Sequence, residues 1–171
     1  MGVQALRKPS AVLGSAVFFL AAPGIVAGLV PWLLTANHGL PLASAAFVIS
    51  GSMLVAVGLG VLLHAFARFA VEGSGTPAPV APTERLVIGG AYRHVRNPMY
   101  VAVLAIILGQ ALIFAHGPLV AYAIAIGAAM AAFVRFYEEP VLTRRYGAQY
   151  QAYRNNVPGW LPRLTPWRGD G

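Results

Sequence analysis

The chain has 171 residues, 58% of them hydrophobic and 10% charged, with a formal net charge of +7. A soluble domain carries about a quarter charged residues, so this composition, with a mean hydropathy of +0.68, excludes an ordinary water-soluble fold and marks an integral membrane protein. The lack of cysteine excludes disulfides, a thiol nucleophile and Cys-ligated metal.

Four apolar segments, at about 11–34, 45–69, 99–115 and 119–136, are long enough, or nearly so, to cross roughly 30 Å of hydrocarbon at about 1.5 Å per residue. The first follows Arg7-Lys8 and contains Ala21-Ala22-Pro23-Gly24, a pattern shared with signal peptides. Its apolar run continues through Trp32 and Leu34, past a typical signal core, which favours a retained span. Gly14, Gly24 and Gly28 put small residues on its faces and permit close packing without naming a partner, so oligomeric state stays open. The second segment carries His64, expected as a helix-end or interhelical hydrogen-bonding residue.

The loop at 70–98 is rich in Gly and Pro and should be ordered by packing rather than by regular helix. Leu86-Val87-Ile88 is its one β-like run. The third and fourth segments then form a hairpin: residues 101–134 contain no charged side chain and break at His116-Gly117-Pro118. Such a hairpin returns Glu138 and Glu139 to the membrane face that Arg96 left. The tail, 137–171, has Leu142, Tyr146, Tyr150, Tyr153 and Val157 at helical spacing, with Arg144, Arg145, Gln151 and Arg154 on other faces. That pattern predicts an amphipathic helix on the membrane surface, weakened by Gly147. Pro158, Pro162 and Pro166 end it, leaving Trp160 and Trp167 as expected interfacial anchors.

All twelve Lys and Arg lie in the N-terminal segment, the middle loop or the tail, or at the span ends adjoining them. The positive-inside rule makes the termini and middle loop cytoplasmic. Basic residues at membrane edges suit lipid headgroups rather than nucleic acid. The expected fold is all-α: one domain, 1–171, with four transmembrane helices roofed by the loop and the tail helix.

One cytoplasmic surface thus gathers Tyr92, Arg93, Arg96, Asn97, Tyr100, Arg135, Tyr137, Glu138 and Glu139. Arginines at membrane edges often only anchor, and Arg135, three and four residues before the two acids, has the spacing to pair with them. Even so, two of the chain's five acids sit at a helix end whose dipole disfavours them.

The residues Thr76-Pro77, Leu86-Val87, Gly90-Ala91-Tyr92-Arg93 and Arg96-Asn97-Pro98-Met99-Tyr100, followed by Glu138-Glu139-Pro140-Val141-Leu142, Tyr146-Gly147, Tyr150, Tyr153 and Val157-Pro158, resemble the isoprenylcysteine carboxyl methyltransferase and phospholipid methyltransferase superfamily. The resemblance covers about 76–161 and implies an integral membrane enzyme. Such an enzyme binds S-adenosylmethionine on its cytoplasmic side and methylates a lipophilic acceptor, an isoprenylcysteine-like carboxylate or a lipid headgroup. It further implies a cofactor cradle at Leu86, Val87, Tyr92, Arg93, Arg96, Asn97, Pro98, Met99, Tyr100 and Glu138, with Arg135 at the acceptor. Asn97 stands where the family usually has His, and Ala102 where Gly is common, which would narrow the approach to the cofactor.

The residue chemistry agrees. The cofactor's carboxylate, ammonium, ribose, adenine and sulfonium would meet arginines, carboxylates, an amide and aromatic faces. No Gly-x-Gly-x-x-Gly follows a strand, and Gly73-Ser74-Gly75 runs into Thr76-Pro77. Methyl transfer needs alignment more than acid–base chemistry. A carboxylate acceptor needs no base and would be clamped by Arg135; an amine or thiol acceptor makes Glu139 the candidate base. The alternative is a non-catalytic lipid-binding or scaffold relative.

Overall fold

The computed structural model describes residues 21–36, 43–72 and 86–168. Arg7-Lys8, Gly14, the first half of the first apolar segment, Thr76-Pro77 and the Gly73-Ser74-Gly75 run lie outside the described residues. Every regular element among the described residues is helical: α1 (Ala21–Thr35), α2 (Ala45–Glu72), α3 (Pro98–Ile113), α4 (Gly117–Phe133) and α5 (Glu139–Asn156). A 3₁₀ turn, Gly90–Arg93, precedes α3, and a π turn, Val134–Glu138, joins α4 to α5. Leu86-Val87-Ile88 is irregular rather than a strand.

Among the described residues two helices are long and apolar enough to cross a membrane: α2, and α4 continued into α5; α1 and α3 are shorter apolar helices. Large apolar side chains point outward along them, with Met53, Val57 and Ile124 each more than 60% exposed. An apolar surface of that extent is stable facing lipid rather than water.

Proline explains where the backbone widens. In α1 the π turn Ile25–Leu29 stands just before Pro31, whose missing N–H leaves the carbonyls four and five residues back without their helical donor. Both are answered from other helices: Gln110 Nε2 donates to the Ala27 carbonyl at 2.8 Å and the Tyr122 hydroxyl to that of Val26 at 2.9 Å. In a membrane interior these bonds are required, because no water can take their place. The π turn Val134–Glu138 likewise stands just before Pro140.

α2 and α3 pack antiparallel at close range. A Cβ on Gly51 would lie 2.5 Å from the Gly109 carbonyl, and one on Gly58 would lie 3.0 Å from that of Ala102. Small residues let the two backbones touch, the usual means of helix association in lipid. Ala102 is therefore buried against α2 and does not narrow a ligand approach. By contrast, a Cβ on Gly24 or Gly28 would meet nothing within 4 Å.

In α5, Gly147 adopts φ 50°, ψ −124°, a kink that glycine tolerates. Beyond it Tyr150, Tyr153 and Val157 are buried against Leu86, Ile88, Leu142, Tyr146 and Trp167. The apolar face of this part of the helix thus covers the protein's own loop. Trp160 and Trp167 are likewise held within the protein: Trp160 stacks on Tyr100 and Trp167 packs on Tyr153.

Candidate functional site

The polar end of the bundle is organised around residues 92–97, which run from the 3₁₀ turn into the first turn of α3. Gly90 starts this turn at φ +57°, and a Cβ there would collide with the His64 ring, so α2 and the turn pack together through glycine. Pro98 opens α3, where its lack of an N–H costs nothing.

The tail pairs with this segment through its backbone. Arg96 N–H donates to the Pro158 carbonyl at 2.8 Å, Asn97 N–H to that of Gly159 at 3.3 Å, Arg163 N–H to that of His94 at 3.0 Å and Trp167 N–H to that of Arg93 at 3.0 Å. Side chains reinforce the pairing. Asn97 Nδ2 donates to the Gly159 carbonyl at 3.0 Å, His94 Nδ1 to that of Arg163 at 2.8 Å, and the Tyr153 hydroxyl to that of Tyr92 at 2.7 Å. Burial pushes the Tyr153 phenol well above its ordinary pKa, keeping it a hydrogen-bond donor.

The two adjacent acids have different partners. Glu139, 7% exposed, accepts from Arg96 Nη1 at 2.8 Å and pairs with Arg154 Nη2 at 3.2 Å, while Arg96 also donates to the Tyr150 hydroxyl at 3.1 Å. Glu138 accepts a hydrogen bond from the Tyr100 hydroxyl. Burial raises the Glu138 carboxyl above its ordinary pKa, and the Tyr100 bond opposes that rise. Trp160 lies over Tyr100, ring centroids 6.3 Å apart and planes within 27°.

The structure therefore brings Asn97, Pro98, Met99, Tyr100 and Glu138 to one corner. Tyr92 and Val87 are buried just behind it, packed with Ala65 and Met99, and Leu86 packs under α5. Arg96 turns toward Glu139, and its buried Nε has no partner among the described residues. Arg93 goes elsewhere, lining a shallow groove with Ile88, Trp167 and Arg168. Arg135 and Tyr137 are exposed on the π turn, the latter stacked on Phe133 at 5.0 Å. The pairing of Arg135 with the acids is replaced by Arg96 and Arg154 on Glu139 and by Tyr100 on Glu138. Sequence reasoning missed the Arg154 and Trp160 contacts; the signal for the second is the Pro158-Gly159 break that lets the tail fold back.

Chemically, the corner offers one carboxylate with remaining acceptor capacity and two aromatic faces. That set fits a ligand carrying a cation and hydroxyl groups. A family model described as phospholipid methyltransferase matches residues 46–149. No curated protein and no solved structure gives a significant match.

Proposed function

Because the chain belongs to the phospholipid methyltransferase family, we propose that it is an integral membrane methyltransferase with its site on the cytoplasmic face. In this reading it spans the membrane four times and transfers a methyl group from S-adenosylmethionine to a lipophilic acceptor. The observation that carries the reading is the meeting of Tyr100 and Glu138, which joins the two polar motifs across the uncharged hairpin. When bound, the cofactor supplies a methyl group already activated on a sulfonium.

The chain's own residues bind and orient. Glu138 accepts hydrogen bonds from the cofactor's ammonium or ribose hydroxyls, and Tyr100 holds that carboxylate in place. Pro98, Met99 and the Asn97 backbone shape the wall, while Tyr92, Val87 and Leu86 back it and keep water out. The Asn97 side-chain amide donates to Gly159, so part of its role is to hold the tail. Glu139 is held by two guanidinium groups, Arg96 on Oε1 and Arg154 beside Oε2, and serves as a positioning residue rather than a base. That favours an acceptor needing little deprotonation, such as a carboxylate, which exposed Arg135 would clamp.

Calorimetric titration of S-adenosylmethionine into the detergent-purified chain tests the reading, with circular dichroism confirming the fold. Binding is expected, followed by methyl transfer to a lipophilic acceptor in vesicles. Glu138→Gln should weaken cofactor binding more than Arg135→Lys does, while Arg135→Lys should raise the acceptor's KM. A folded protein that binds no cofactor would sink the proposal and leave a lipid-binding relative, in which Asn97→His would be the variant to restore binding.

A further inference from the structure

Trp160 lies in the tail, beyond the matched residues 46–149, yet it is the residue set over the proposed site. Its position is fixed by its neighbours rather than by its own contacts. Gly159, immediately before it, accepts from both the backbone and the side chain of Asn97, and Pro158 accepts from Arg96. A Cβ on Gly159 would come within 3.3 Å of Arg96 Nη2, so the tail approaches the motif closely here. The indole consequently faces the Tyr100 ring, and the hydroxyl of that ring is bonded to Glu138.

Two aromatic faces beside a partly buried carboxylate form a combination suited to an organic cation. The nearby positive charges do not fill that role: Arg96 is committed to Glu139 and Tyr150, and Arg93 lies in another groove. Trp160 itself is only partly exposed and stacks inward on Tyr100. Resting on the methyltransferase reading above, we propose that Trp160 is a ligand-positioning residue which, with Tyr100 and Glu138, holds an onium group. The same chemistry is carried by the cofactor's sulfonium and by the amine of a lipid headgroup.

The test compares ligands that differ in that charge. S-adenosylmethionine and S-adenosylhomocysteine share every group except the methylated, positive sulfur. Calorimetry on the full chain in detergent measures both affinities for the wild type, Trp160→Phe and Trp160→Leu, with thermal melts reporting folding. Trp160→Leu should lower the affinity for S-adenosylmethionine by about three- to thirtyfold more than that for S-adenosylhomocysteine, the range of one cation–π contact. Trp160→Phe, keeping an aromatic face, should lose less. A merely structural role would lower both affinities equally.

A second arm measures melting temperature in nanodiscs of phosphatidylcholine and of phosphatidylglycerol. An unchanged ligand ratio, with loss of stabilisation by phosphatidylcholine in Trp160→Leu alone, assigns the cation to the headgroup. No change in either arm overturns the inference. A folded wild type that binds neither adenosyl ligand overturns the methyltransferase reading itself, whatever the variants do.

Discussion

Replacing Arg96 by Met should unlock the junction between α3 and α5. The Arg96 and Glu139 side chains are 14% and 9% exposed and meet at 2.8 Å, so little solvent is available to replace the lost partner. Removing one member of a buried pair costs about 3–5 kcal/mol, mostly because the other charge stays behind. Arg154 still faces Glu139 at 3.2 Å but is 37% exposed, which places the expected loss near the lower end, about 3 kcal/mol. At about 2–4 °C per kcal/mol for a chain of this size, the melting temperature should fall by roughly 6–12 °C in circular-dichroism melts at fixed detergent. The double variant Arg96→Met/Glu139→Met leaves no buried charge at the pair and should recover most of that loss. A single-variant cost below about 1 kcal/mol, or a double-variant cost equal to the sum of the singles, would refute the claim that this pair is a desolvated clamp.

Burial holds the Glu138 carboxyl above its ordinary 4.5, so its proton favours the folded state; that stability is present below the unfolded value and lost as pH rises through the folded one. The permanently neutral Glu138→Gln should therefore melt increasingly above the wild type as pH rises past the ordinary carboxylate range, while binding cofactor more weakly; a pH-independent difference would contradict the assignment. Asn97→Ala removes the side-chain bond to Gly159 and should cost about 0.5–1.5 kcal/mol, seen as faster hydrogen exchange at the Arg96 and Asn97 amides and easier proteolysis of the tail. Gly51→Leu, whose Cβ would lie 2.5 Å from the Gly109 carbonyl, should destabilise by about 1–3 kcal/mol or more. Gly60→Leu in the same helix, with nothing within 4 Å, should be close to neutral in the same thermal melts.

The helices were legible because length and breakers define them. The expected segments 45–69 and 99–115 correspond to Ala45–Glu72 and Pro98–Ile113, and the break at His116-Gly117-Pro118 falls between Ile113 and Leu119. The meeting of the 96–100 and 138–139 motifs was legible for the same reason, since an uncharged hairpin must return to the side it left. Partner choice was not. Spacing of three and four residues pairs Arg135 with the acids only on a regular α-helix, and residues 134–138 form a π turn that alters that register. Pro140, lacking an N–H, was the available sign. The course of the tail was hidden for another reason: backbone carbonyls at Pro158, Gly159 and Arg163 help decide where Trp160 and Trp167 go. Backbone pairing outside regular strands leaves almost no pattern in side-chain type.

The two adjacent carboxylates show why neighbours in sequence can divide their work. Successive residues on a helix point about 100° apart, so Glu138 turns toward Tyr100 while Glu139 turns toward Arg96 and Arg154. One lies buried between two guanidinium groups; the other has a phenol and aromatic faces beside it. In the proposed enzyme Glu139→Gln should consequently act through Glu138: cofactor affinity and melting temperature should fall together, with the pH dependence of turnover unchanged. A Glu139→Gln variant that kept its affinity and stability but lost turnover with a shifted pH profile would return Glu139 to the role of general base.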